Sequence, residues 1–187
     1  ALRTNKGSSD RALDLSVRRV PALLGYERKD QILANLGFDE TVGAETLAAR
    51  GAKRLERRSL GVDDHDAIGP ALAWAGERRR EGTPFLLTLL TLSGHYPYVV
   101  PSESAHLGLD ADRHRAAYLD AVAHSDQALG DLVRGLDSLG VMDSTLIVVV
   151  GDHGQAFGEH GLYAHGDSLY QEALHVPLLQ EGRARRP

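Results

Sequence analysis

The sequence predicts an α/β domain, and three observations carry that prediction. Two short apolar runs, Phe85 to Leu92 and Leu146 to Val150, have the length and residue types of buried strands. Between them lies a long helical pattern from Asp112 to about Leu139. Each apolar run breaks at once into a polar, glycine-containing segment, Ser93-Gly94-His95 after the first and Gly151-Asp152-His153-Gly154 after the second. Strand, helix, strand in that order is a βαβ unit, with a right-handed crossover and parallel strands. Both polar segments then leave the same sheet edge, where α/β proteins place ligand-binding groups.

Residues 1–20 are polar and have no clear period; Ser9 or Asp10 can cap a helix that follows. Asp30 to Leu36 reads as a short helix ended by Gly37. Phe38 to Arg58 reads as a mobile connection with helical pieces. Asp63 or Asp64 can cap a helix from Ala67 to about Arg80, with Ile68, Leu72 and Ala75 on one face, Trp74 beside them, and Gly82-Thr83-Pro84 as its break. Pro84 before and Ser93-Gly94 behind favour strand over helix for 85–92. The long helix puts Tyr118, Val122, Leu129, Leu132, Val133, Leu136 and Leu139 at helical spacing, and Gly140 ends it. Leu146 to Val150 reads as a fully buried strand, Leu169 to Ala173 as a short helix, and Val176-Pro177-Leu178-Leu179 as the start of another strand.

The chain of 187 residues is long enough for one domain with a real core. Its net charge of −5, with both signs mixed along the chain, leaves no basic footprint, so nucleic acid is not an expected partner. The absence of cysteine excludes disulfides, zinc–thiolate sites and a cysteine nucleophile. No apolar run approaches the ~20 residues of a membrane span.

Asp152 and His153 are the first candidates for chemistry. A carboxylate and an imidazole suit zinc, manganese or another divalent ion, and the flanking glycines let the backbone turn so that both reach it. The plain alternative is that Asp152 caps the next turn and His153 lies on the surface. His95, His160 and His165 sit in glycine-rich loops and can donate to an anionic oxygen, bind metal or move a proton. Loop histidines are more often simply exposed. Asp126 interrupts the apolar face of the long helix and reads as a buried acid bonded to backbone. His65, His106, His114, His124 and His175 have no motif context and read as structural or surface residues.

Taken together, the motifs over 84–179 resemble the sulfatase-like branch of the alkaline phosphatase superfamily. The likeness rests on Leu92-Ser93-Gly94-His95-Tyr96-Pro97-Tyr98, on Tyr118 through Asp126, on Ser144 through Gly154, on Gly158 through Gly166, and on Tyr170 through Leu178. It is nearest to lipoteichoic-acid synthases, phosphoethanolamine transferases and related sulfatases. The resemblance implies a three-layer alkaline-phosphatase-like fold with a mainly parallel central sheet, incomplete at both ends of this chain. It implies a metal-dependent hydrolase or transferase acting on phosphate or sulfate esters. By the likeness, Asp152 and His153 bind a divalent metal (zinc, manganese, calcium or magnesium), and His95 and His165 hold the anionic group of the ester. It also implies an extracytoplasmic or membrane-associated setting for the whole protein.

The sequence departs from that pattern in places. The early strand with an acidic metal ligand and the Thr, Ser or formylglycine nucleophile are not identified here; Gly7-Ser8-Ser9-Asp10 is only faintly similar to the nucleophile segment, leaving Ser8 as the candidate. Gln155 stands where many members carry glutamate. Weak or no turnover by this chain alone is therefore expected. Two rivals stay open: a non-catalytic remnant of the fold serving as a binding module, and an unrelated α/β protein in which Asp152-His153 is a helix cap.

Overall fold

The structure, a computed structural model, describes residues 18–19 (backbone only), 35, 38, 40–52, 61–102, 104 and 106–182. Ser8, the polar start of the chain and all of the expected 30–36 helix except Asn35, which is helical, lie outside the described residues.

The described strands form two separate ladders, one parallel and one antiparallel. β1 (Arg18–Arg19) lies between β2 (Thr41–Val42) and β3 (Thr88–Leu89), parallel to both. β4 (Ile147–Val150) pairs antiparallel with β5 (Leu178–Glu181), Val150 opposite Leu178 and Ile147 opposite Glu181. The expected direct parallel partnership of the 85–92 and 146–150 strands is thus not among the described ladders. One hydrogen-bonding edge of β4 is taken by β5, and the bond from Gly151 N to Pro177 O carries that pairing past the strand end.

The helices follow the sequence closely. α1 (Ala44–Ala49) is followed by α2 (Asp64–Glu81), which Asp63 caps by accepting from His65 N. Gly82, at φ 68°, closes α2 in the left-handed conformation that suits glycine. α3 (Arg113–Ser138) starts at Asp112, whose carboxylate accepts from the amides of His114 and Arg115. α4 (Gln171–Leu174) is a single turn before β5. α2 packs along α3, and Gly135 permits the close approach because a side chain there would collide with Leu72.

Two apolar clusters result. Trp74, Ala75, Leu136 and Val141 are buried together, with Phe85, Leu87, Leu132 and Ile147 against them, and Trp74 meets Phe85 edge-on at 5.1 Å. Val42, Ala44, Leu47, Val62 and Ala67 form the second. The segment read as a mobile connection therefore contains a strand and a buried helix face. Its short apolar side chains close against the start of α2, a tertiary contact with no local periodic signature.

Two further expectations change. β4 is not buried on both faces: Ile147 and Val149 are half-covered, whereas Val148 and Val150 are 54% and 60% exposed. One face packs on the Trp74 cluster and the other faces outward, the ordinary condition of an antiparallel strand. On α3 the buried positions include Asp120, Ala121, His124 and Ala128, while Val122 and Asp126 are exposed. The first half of this helix turns a small and polar stripe inward because it meets the acidic start of α2.

Candidate active site

Asp64 fixes the start of the loop that carries His95. Its buried carboxylate accepts from the amides of Leu92 (2.8 Å) and Ser93 (3.2 Å) and from the Ser125 hydroxyl (2.9 Å). One side chain thus joins the end of the 85–92 segment, the start of α2 and the middle of α3. Beside it Asp63 accepts from His124 Nε2 at 3.0 Å, and His124 Nδ1 lies 3.2 Å from the Ser104 hydroxyl. Asp120 holds Leu107 N at 2.7 Å and His106 Nδ1 at 2.9 Å, so the link between the His95 loop and α3 is tied down. These contacts hold the Asp120 carboxyl below the ordinary Asp value, the Leu107 amide first and His106 second.

The His95 loop turns through a cis Tyr96–Pro97 bond and buries Tyr98. Burial, then Tyr118 and Tyr96, pushes the Tyr98 phenol up. Tyr98 meets Tyr118 at 5.4 Å and Phe157 at 6.1 Å, and Tyr118 meets Phe157 at 4.9 Å. Phe157 belongs to the loop that follows β4. The two polar loops therefore converge through an aromatic bridge over α3, although their strands share no described ladder.

The β4 loop owes its path to glycine. Gly154 N donates to Ala173 O at 2.8 Å, and a Cβ on Gly154 would strike the Glu172 carbonyl. Gly158, at φ 113°, donates to Leu162 O and folds 158–162 back on itself. In the opening of this loop His153 Nε2 lies 3.7 Å from Asp152 Oδ2, and Asp152 Oδ1 accepts from His153 N at 3.0 Å.

The structure brings His153 and His165 together, their rings stacked with centroids 3.7 Å apart and 25° from parallel. His165 is held low by desolvation first, then by His153 and His95, with Asp152 and Asp167 opposing. His165 as a residue is exposed, but its ring lies against another ring, so the desolvation acts on the imidazole face. His153 and Asp152 thus sit beside His165 in one loop, and the His95 loop reaches this loop through Tyr98 and Phe157. His160 stands apart: its Nδ1 donates to Glu172 at 2.7 Å and its ring stacks on Tyr170 at 3.9 Å. That bond is the main reason the Glu172 carboxyl is held low.

His153 Nδ1 lies 2.8 Å from Gly154 O, and His95 Nδ1 lies 2.6 Å from Tyr96 O. A carbonyl only accepts, so both rings carry a proton on Nδ1 and keep Nε2 for a ligand. The donor chemistry at Asp152 and His153 fits a divalent metal, and Nδ1 held by a carbonyl is the usual support of a ligating imidazole. Two donors are half of a four-ligand shell. Among the described residues no group of three or more His, Asp or Glu side chains comes together as a metal site.

The sulfatase family model matches residues 21–181. The chain belongs to the sulfatase family. Human iduronate 2-sulfatase is 42% identical over 65 residues, which is 35% of this chain and 12% of that protein. Lipoteichoic acid synthase of Staphylococcus saprophyticus is 26% identical over 130 residues, 68% of this chain and 19% of that protein. This sulfatase-family chain therefore spans a fifth or less of the length of these curated relatives. Its fold is similar to that of a lipoteichoic acid synthase of Listeria monocytogenes, with a TM-score of 0.74 at 18% identity over 93% of this chain and 45% of the other. A protein of the alkaline phosphatase superfamily from Vibrio parahaemolyticus matches at TM-score 0.69 and 21% identity, over 91% and 38%. The α/β class expected from sequence agrees with these alkaline-phosphatase-like folds.

Sequence reasoning gave Asp63 and Asp64 only as helix caps and missed their joint role with Asp120 and His124 in a polar hub next to the His95 loop. The available signal was the polar pair Asp120 and His124, one helical turn apart and interleaved with Ala121 and Ala128.

Proposed function

We propose that this chain carries the anion-binding side and part of the metal-binding side of a sulfatase-family enzyme that cleaves or transfers phosphate or sulfate ester groups. The observation that supports this most directly is the stacking of His165 on His153 next to Asp152, in a loop that the His95 loop meets through Tyr98 and Phe157. Asp152 and His153 would hold a divalent ion, whose charge would polarise the ester and stabilise negative charge on its oxygens. His95, with Nδ1–H held by Tyr96 O, offers Nε2–H to an anionic oxygen in its protonated form. His165, beside His153, lines the same seat. Ser8 remains the sequence candidate for the nucleophile that takes up the transferred group. The setting inferred for the whole protein is extracytoplasmic or membrane-associated. No helix among the described residues is long and apolar enough to cross a membrane.

The test is metal content and ester turnover of the purified chain. Binding of zinc or manganese should weaken at least 10-fold in Asp152→Ala and in His153→Ala. Affinity unchanged by both substitutions overturns the metal assignment. A second reading, an anion-binding module without catalysis, is favoured by the lack of a three-residue metal group among the described residues. Sulfate binding that depends on His95 and persists without metal, with no turnover of aryl phosphate or aryl sulfate, supports that reading instead.

A further inference from the structure

Three side chains outside the Asp152-His153 loop stand in a line. Asp63 and His124 are buried, and Ser104 is half-buried on the link between the His95 loop and α3. His124 Nε2 lies 3.1 and 3.0 Å from the two oxygens of Asp63, and His124 Nδ1 lies 3.2 Å from the Ser104 hydroxyl. A carboxylate only accepts, so neutral His124 carries its proton on Nε2. Nδ1 is then a lone pair, and the Ser104 hydroxyl donates to it. Hydroxyl, imidazole base and orienting carboxylate, with both contacts inside hydrogen-bond reach, are the signature of an activated nucleophile. The ring is reversed relative to the usual triad, with Nδ1 toward the serine, but either ring nitrogen can take the proton. Asp63 is itself held, because its Oδ1 also accepts from His65 N at the start of α2. The His65 ring lies 4.7 Å from that of His124, and its Nδ1 is tied to Asp131.

We infer that Ser104, with His124 as its base and Asp63 orienting the imidazole, is a metal-independent nucleophile that takes an acyl group from an uncharged carboxylic ester. The surrounding charge selects that class. Asp63 bonds His124, Asp64 bonds the neighbouring Ser125, and Asp120 lies one turn earlier on α3. An anionic phosphate or sulfate ester is repelled by these carboxylates, whereas a neutral ester is not. In the first step a lone pair on Ser104 Oγ bonds to the ester carbonyl carbon, and the hydroxyl proton passes to His124 Nδ1. The bond from that carbon to the alcohol oxygen then breaks, and the alcohol leaves with the proton from Nδ1. Water attacks the acyl-serine, gives a proton to the same nitrogen, and releases the carboxylic acid as Ser104 Oγ takes that proton back. This chemistry is independent of the metal side at Asp152 and His153.

The experiment is labelling of the whole chain with a biotinylated fluorophosphonate in EDTA, with the labelled residue located by peptide mass spectrometry. The probe forms an Oγ–P bond as its P–F bond breaks and fluoride leaves, so it reports an activated serine without a natural substrate. Wild type should be labelled at Ser104. Labelling there should be at least ~100-fold slower in His124→Gln and in Asp63→Asn, the scale of a general base's contribution. Asparagine caps a helix as well as aspartate does, so Asp63→Asn keeps the start of α2 and removes only the charge behind His124. That variant decides the matter if His124→Gln fails to fold. Release of p-nitrophenol from p-nitrophenyl acetate, also in EDTA, should fall in the same variants and in Ser104→Ala. Wild type unlabelled at Ser104 overturns the assignment. So does labelling of Ser104 at an equal rate in Asp63→Asn, or p-nitrophenol release unchanged by Ser104→Ala.

Discussion

Gly154 packs directly against the backbone carbonyl of Glu172, with no room for a side chain between them. This contact seats the loop bearing Asp152 and His153 on α4, reinforced by the bond from Gly154 N to Ala173 O at 2.8 Å. A backbone carbonyl cannot swing aside as a flexible side chain can. Gly154→Ala should therefore push the loop away from α4 and cost about 1–3 kcal/mol of stability. Thermal unfolding of the variant checks the cost. An unchanged midpoint would mean that the loop is not seated as described.

Asp64 is the second point of control. Its carboxylate satisfies the amides of Leu92 and Ser93 and the Ser125 hydroxyl inside the protein. Alanine there leaves two backbone donors without their partner, at about 1–3 kcal/mol for each buried group. For a chain of this size each kcal/mol lowers the melting point by roughly 2–4 °C. Asp64→Ala should lower the midpoint by about 4 °C or more and loosen the His95 loop, seen as faster amide exchange at Leu92 and Ser93. Exchange at these two amides equal to wild type would contradict the assignment.

Asp120 gives the acid dependence. Leu107 N and His106 hold its carboxyl below the ordinary Asp value of 3.8. A carboxyl held low in the folded state binds its proton more weakly there than in the unfolded chain. Its stabilisation is complete above 3.8 and is lost as pH falls from there through the folded value. Wild type should therefore melt above Asp120→Asn at pH 7, and the gap should close progressively below pH 4. A gap independent of pH would assign the effect to shape rather than charge.

Particular residues show what the sequence could and could not reveal. Asp63, Gly82, Asp112 and Gly140 mark helix ends by local chemistry, and these boundaries were legible within a few residues. Asp152, His153, His95 and His165 were legible as candidates because glycine and an apolar run frame each loop. That the two loops lie at one side was expected from the order of the elements, but the contacts that join them, Tyr98 to Phe157 across α3 and Gly154 to Glu172, were not. The buried state of Val42, Ala44 and Leu47 was equally hidden, since their partners Val62 and Ala67 come from another segment. β5 was expected to follow the β4 loop, but nothing in its residues specifies antiparallel pairing.

The two faces of β4 provide the last prediction. Ile147 packs against the cluster of Trp74, Leu136 and Val141, whereas Val148, next to it, is 54% exposed. Removing the half-buried side chain in Ile147→Ala loses contacts on the Trp74 side and should cost about 2 kcal/mol, near the low end for buried aliphatic truncation. Val148→Thr keeps the β-branched shape at an outward position and should change stability by about 0.5 kcal/mol or less. Denaturant titration of both variants measures the difference. If Val148→Thr were as costly as Ile147→Ala, β4 would be buried on both faces, and the strand would be the fully covered element that its apolar sequence first suggested.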